Sequence, residues 1–140
     1  VVRQGHPLLQ AETLSTEGYA AYGHVVSSRH GKAQGPVDSA LAEHGMQRKI
    51  AAIVPGFSAA IAVAQCSDLI AQVPASWFAG LQRRFGDRAL QGFALPVKTP
   101  PITVSQMWHP RMEVDPAHRW LRQQVLSVCQ TPDAVSFSPR

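Results

Sequence analysis

The sequence predicts an α/β fold built on a Rossmann-like parallel sheet, and three observations predict it. Short β-branched or apolar runs alternate with helix-length segments from residue 23 to residue 95. Several of these runs are nearly continuous in apolar character, which suits strands covered on both faces. The segments between them carry helical periodicity, with residues that start and stop helices. With 140 residues, 45% of them apolar and 16% charged, the chain can bury a real core. A chain of that length buries roughly two-thirds of its unfolded surface, so it needs no disulfide or metal staple.

In order, Gly23-His24-Val25-Val26-Ser27 is the first strand, followed by a loop of small and charged residues. Pro36 opens a helix in which Val37, Ala40, Leu41 and His44 recur on one face, and Gly45 closes it. Lys49 to Val54 reads as a buried strand, Pro55-Gly56 turns the chain, and Phe57 to Gln65 is a helix of small apolar residues. Asp68 to Val73 is the next strand, ended by Pro74. Ala75 to Phe85 is an amphipathic helix with Trp77, Phe78 and Leu81 inward and Arg83 and Arg84 outward. Gly86 stops it, and Leu90 to Leu95 returns as a strand. Three prolines in Pro96-Val97-Lys98-Thr99-Pro100-Pro101 then mark a crossover. Beyond it come a strand, Ile102 to Trp108, and a helix with Asp115 as N-cap and Pro116 in its first turn. That helix runs to about Val128, with Trp120, Leu121, Val125 and Val128 facing inward. One strand and one helix do not make a domain, so these elements belong with others.

The net charge of +4 is spread over short groups: Arg48 with Lys49, Arg83 with Arg84, and Arg119 with Arg122. A nucleic-acid platform clusters its basic residues and interleaves aromatics, and this chain does neither. Cys66 and Cys129 are far apart, outside any CxxC or Cys/His cluster, and read as reduced, partly buried thiols. His6, His30 and His44 lack zinc-ligand spacing, so no metal is expected. Pro55 and Gly56 interrupt the longest apolar stretch, so no membrane span is expected. Val1-Val2-Arg3-Gln4 carries no signal-peptide pattern and reads like the middle of a longer chain.

Ser67-Asp68-Leu69-Ile70-Ala71-Gln72-Val73-Pro74 resembles the "SDLIATVP" segment of the effector-binding domain of LysR-type transcriptional regulators. Trp108-His109-Pro110-Arg111 followed by Asp115-Pro116-Ala117-His118-Arg119-Trp120-Leu121-Arg122 resembles the C-terminal "WHPR…DPAHRWLR" of the same family. Val1 to Leu8 is similar to the strand and turn where family chains enter their second lobe. The resemblance spans nearly the whole chain and points to the branch that senses flavonoids, salicylate and nitro-aromatics. It implies a fold of the type 2 periplasmic-binding-protein class, with a small aromatic or acidic effector held between two lobes. Residues 8–97 would be the second lobe. Residues 1–7 and 98–131 would be crossover segments and the C-terminal remnant of the first lobe, and 132–140 a tail. The resemblance further implies a cytoplasmic homo-oligomer that reaches promoter DNA only through a winged helix-turn-helix lying outside this sequence. The alternative is a solute-binding protein of a transport system, which shares the architecture.

Ligands of open α/β sheets collect at the carboxyl ends of strands, where helix N-termini also point. That rule selects Ser27 and Ser28, then Pro55, Gly56, Phe57 and Ser58, then Val73 and Pro74. The second group is preferred: Gly56 lets a ligand approach the backbone, and the free N–H groups that follow favour a carboxylate or phenolate. An ordinary strand-to-helix turn is the alternative at this position. His24, read by itself, is a structural histidine beside a strand. The resemblance makes it an effector contact, because the salicylate-sensing relatives carry a histidine in the matching "HV" position. Those relatives also have histidine where this chain has Gly56. Ser27 or Ser58 with His24 and Asp68 would compose a hydrolytic triad. Gly56-Phe57-Ser58-Ala59-Ala60 lacks the second glycine of a GxSxG elbow, and no enzyme or cofactor is expected. The apolar strand and helix of residues 102–128 are expected to mediate self-association.

Overall fold

The computed structural model describes residues 1–11, 13–85, 89–101 and 103–130. The chain divides into two compact units, with the boundary after Pro100. Gly86 as helix stop, the Arg84 side chain, Ile102 and the tail 132–140 lie outside the described residues.

In the first unit, β1 (Val2–Arg3) pairs antiparallel with β5 (Leu90–Gln91). β2 (Gly23–Ser27) is the middle strand of three, flanked in parallel by β3 (Lys49–Val54) and β4 (Ile70–Ala71). Val1 exchanges backbone hydrogen bonds with Ala71, at 2.8 and 2.9 Å, which joins the start of β1 to β4. The parallel α/β architecture expected from the strand–helix alternation is therefore present. Two strands are shorter than expected. The run 68–73 pairs only at Ile70 and Ala71, and the run 90–95 only at Leu90 and Gln91. Phe93 and Leu95 still pack against the core, so their apolar character serves packing rather than a ladder.

Alternate residues of the sheet feed opposite faces. Ile70 belongs to a core with Val2, Leu8, Tyr19, Val37, Ala40, Leu41 and Val97, contributed largely by α1 (Thr16–Ala21) and α2 (Pro36–Glu43). Ala71 and Val25 pack with Ala60 and Ala64 of α3 (Phe57–Gln65). The small residues of α3 are what let it lie close to the sheet. Phe78 of α4 (Ala75–Phe85) completes a third cluster with Ile61 and Leu90, with Trp77 and Leu81 half-buried beside it. β3 departs from the expected two-sided burial. It is an edge strand, and Lys49, Ala51 and Ile53 are exposed along one side.

Local chemistry explains the helix ends. Ser15 Oγ accepts the Gly18 N–H at 3.0 Å and starts α1, an element the apolar pattern alone does not reveal. The Asp38 carboxylate accepts the Gly35 N–H at 2.8 Å over the start of α2. Gly45, at φ +67°, takes the left-handed conformation after α2 that a side chain would strain. His44 caps that helix and is exposed, so it does not join the buried face as the periodicity suggests. A buried polar strut ties these parts together. The Arg48 guanidinium, whose side chain is 2% exposed, grips both Asp38 oxygens at 2.8 and 2.9 Å. It also donates to the Tyr19 hydroxyl at 3.4 Å.

In the second unit, residues 103–109 form no strand, because no sheet partner lies beside them among the described residues. They lead through a 3-10 turn, Pro110–Met112, into α5 (Pro116–Gln130), whose first N–H groups are met by Asp115. Trp108 is not core. It is 41% exposed, with Arg122 stacked 4.2 Å from its ring centre and Glu113 accepting its indole N–H at 2.5 Å. Trp120, Leu121, Val125 and Val128 are all exposed, contrary to the inward orientation expected of them. Cys66 and Cys129 are exposed free thiols rather than partly buried ones.

Candidate functional site

The carboxyl ends of β2 and β3 meet where the topological rule places a ligand. Ser28 N–H donates to the Val54 carbonyl at 2.8 Å, so the two strand ends are stapled side by side. β3 then passes through Pro55 and Gly56 into α3. Gly56 is the N-cap, with extended backbone and no side-chain cap, and the first N–H groups of a helix have no partner within it. A Cβ added at Gly56 would meet nothing within 4 Å, so space opens in front of that backbone. Phe57 is 38% exposed, and its ring lies 6.0 Å from that of Trp77, two residues into α4. Pro55 and Ser58 are exposed.

The structure thus brings Ser27, Ser28, Pro55, Gly56, Phe57 and Ser58 to one rim. Ser28 Oγ is already used there, accepting the Lys32 N–H at 2.9 Å. Ser27 Oγ is buried and has no hydrogen-bond partner among the described residues. Trp77 is the member that sequence reasoning assigned only to the core. Its position just past Pro74, at the third strand end selected by the rule, is the signal that would have found it.

His24 stands apart from this rim. It lies near the start of β2, is 0% exposed, and faces Tyr19. The two rings meet edge to face at 4.6 Å, and His24 Nε2 lies 3.0 Å from the Tyr19 carbonyl oxygen. Burial, with help from the Arg48 guanidinium, lowers its pKa to about 4, against the opposing pull of the Tyr19 carbonyl and Asp38. The ring is neutral at ordinary pH. No arrangement of Ser27 or Ser58 with His24 and Asp68 is present: His24 binds a backbone carbonyl, and Asp68 pairs with Arg3 at 2.6 Å. Among the described residues no group of three or more His, Cys, Asp or Glu could hold a metal, and no helix is long and apolar enough to cross a membrane.

Residues 1–130 match the family described as the LysR substrate binding domain. The chain belongs to this family. A LysR substrate-binding domain is a ligand-sensing regulatory domain, and its fold is of the type 2 periplasmic-binding-protein class. The chain is 34% identical to the transcriptional activator NahR of Pseudomonas putida, over 86% of its own length and 39% of NahR. It is 33% identical to the regulator LinR of Sphingobium indicum, with the same coverage, 86% and 39%. It is 36% identical to nodulation protein D 3 of Rhizobium leguminosarum, over 79% of the chain and 36% of that protein. The chain therefore spans about two-fifths of the length of these curated relatives. A crystal structure of a transcriptional regulator from Vibrio parahaemolyticus superposes with a TM-score of 0.70 and 30% identity, covering 91% of this chain and 57% of that one. The regulatory domain of MexT from Pseudomonas aeruginosa gives 0.56 and 29%, covering 80% and 55%.

Proposed function

We propose that this LysR-family chain senses a small aromatic or acidic effector at the rim built from Ser27, Ser28, Pro55, Gly56, Phe57 and Ser58, with His24, buried against Tyr19 near the start of β2, left out of it. The observation that carries the proposal is the start of α3. An uncapped helix N-terminus, a glycine with open space before it, and an exposed phenylalanine against Trp77 stand together at two strand ends. N–H groups there suit an acidic group, and the rings suit an aromatic body. In this reading residues 8–97 form one lobe of a two-lobed sensor, with 1–7 and 98–131 as crossover and first-lobe segments. Effector binding favours one arrangement of a homo-oligomer over another by its differential affinity for the two.

The reading includes a cytoplasmic location, no cofactor or metal, no catalysis, and no membrane partner. Promoter DNA is contacted only through a winged helix-turn-helix outside this sequence. The transcriptional regulators among the relatives favour this reading over a transport solute-binding protein. The test is an NMR titration of the chain with hydroxybenzoates. Amide signals of Ser28, Gly56, Phe57 and Ser58 should move together with ligand concentration. Shifts confined to another face, with these four silent at saturating ligand, would remove the site from this rim.

A further inference from the structure

The strands that end at the rim, and the segments that leave it, share a property of charge. From the start of β2 into α2, from β3 through α3, and from β4 through α4, the chain holds no aspartate or glutamate: none occurs in residues 23–37, 49–65 or 70–85. The acids that bound these stretches lie elsewhere or are already used. Glu43 closes α2 and Asp68 precedes β4, both on the side where strands begin. Asp68 is paired with Arg3 at 2.6 Å. Asp38 gives both its oxygens to Arg48, at 2.8 and 2.9 Å. An anion at the rim therefore meets no free carboxylate on the elements that build it.

It meets cations instead. β2 ends in a turn over residues 28–32, where Ser28 Oγ accepts the Lys32 N–H at 2.9 Å and Gly31 takes φ +68°. Arg29, His30 and Lys32 are exposed on that turn. Neither Arg29 nor Lys32 has an acid beside it among the described residues. Lys32 shapes the turn through its backbone alone, which leaves its ammonium to solvent and to ligands. The base of the turn is fixed as well, because Ser28 N–H donates to the Val54 carbonyl at 2.8 Å. It thus lies one strand spacing, about 4.8 Å, from the end of β3. Charges act through physiological salt over about 8 Å, so the turn is within reach of a ligand there.

We infer that Arg29 and Lys32 form a cationic collar that selects effectors by their number of negative charges. An aromatic dicarboxylate binds in preference to a monocarboxylate, and a neutral amide binds least. The inference rests on the effector reading above and deepens it. The start of α3 offers N–H groups to one carboxylate, and the collar offers whole charges to a second. These two contributions differ in kind. An N–H donor needs contact and alignment, whereas an exposed cation acts at a distance and is weakened by salt. The collar also steers anions toward the rim before contact is made.

The test titrates benzamide, benzoate and isophthalate into the full 140-residue chain, with the amide signals of Ser28, Gly56, Phe57 and Ser58 as the readout. Isophthalate should bind tightest and benzamide weakest. Replacing both cations, Arg29→Gln with Lys32→Gln, should weaken isophthalate roughly fivefold at low salt, the effect of two unit charges about 8 Å away through water. The loss should shrink below about twofold in about 0.5 M salt, and benzamide should not change. Arg29→Lys, which keeps the charge, should bind as the native chain does. Lys49→Gln removes the same charge at the start of β3, roughly 17 Å along the strand from Val54, and should leave all three ligands unaffected. The collar is overturned if isophthalate binds no tighter than benzoate, or loses no more in the double variant than in Lys49→Gln, while the four rim amides move. That outcome leaves the rim as the site. Rim amides silent with every probe would sink the rim and the collar with it.

Discussion

α3 and α5 are both helices with an apolar face, and their surroundings differ completely. In residues 1–100, α3 lays Ala60, Ile61 and Ala64 against a sheet, and all three are buried. In residues 101–130, α5 leaves Trp120 61%, Leu121 52% and Val128 76% exposed. The approach segments differ in the same way. Lys49 to Val54 becomes a strand because Gly23 to Ser27 pairs with it in parallel, with one register shift between His24 and Val25. Residues 103–108 include Val104 and Met107, more than 90% exposed, and make no ladder. An apolar run supplies the potential for a strand, and a paired neighbour realises it. What holds the second unit together is polar. Arg122 stacks on Trp108, donates to the Met112 carbonyl at 3.0 Å and lies 2.8 Å from His118 Nδ1.

The contrast can be broken or sharpened by measurement. The largest effect belongs to the strut of the first unit. Asp38→Ala strands a buried guanidinium and uncaps α2, and should cost about 3–5 kcal/mol in chemical denaturation. A loss under 1 kcal/mol would show that Arg48 finds water instead.

Next come matched truncations of apolar residues. Leu41→Ala, at a 0% exposed position, should cost about 3 kcal/mol. Val125→Glu on α5, at 42% exposure, should leave unfolding of the first unit unchanged and weaken self-association in sedimentation. Equal destabilisation by the two would erase the distinction between the units.

Acid acts through His24. An unfolded imidazole takes its proton near 6.5 and the folded one near 4, so stability is whole above pH 6.5 and falls as pH drops toward 4. The loss over that window is about 3 kcal/mol. Comparing stability–pH curves for the native chain and His24→Gln isolates the contribution. Superimposable slopes between pH 6.5 and 4 would show that the ring titrates normally.

The smallest stability effect is expected at the rim. Gly56→His enters open space and should change stability by less than about 0.5 kcal/mol while altering which hydroxybenzoate binds. A large loss of stability would mean that the space is needed closed.

Much of the first unit was legible because its signals are local. Pro36, Gly45, Pro55 and Gly56 bound their elements, and the small residues of Phe57 to Gln65 gave α3 its limits. The rim was legible because strand-end topology needs only the order of elements. Three things were not. α1 is six residues long and announced only by Ser15. The length of β4 and β5 depends on partners remote in sequence. The Tyr19–Arg48–Asp38–His24 assembly draws on residues from 19 to 48 whose meeting no periodicity encodes. The exposure of α5 was also hidden, since periodicity shows which face is apolar and says nothing of what covers it.

The exposed cysteines give the molecule a property of practical use. Cys66 caps the end of α3 in the first unit, and Cys129 lies in α5 of the second. An exposed thiol that can ionise is a nucleophile. Each unit therefore carries its own native attachment point for a dye or spin label. A donor and an acceptor placed on the two report the distance between the units, and its response to ligand, with no engineered residue. The same exposure makes the chain sensitive to storage. Under oxidising conditions Cys129, beside the uncovered face of α5, can tie two copies covalently, so a reductant separates true association from accidental cross-linking.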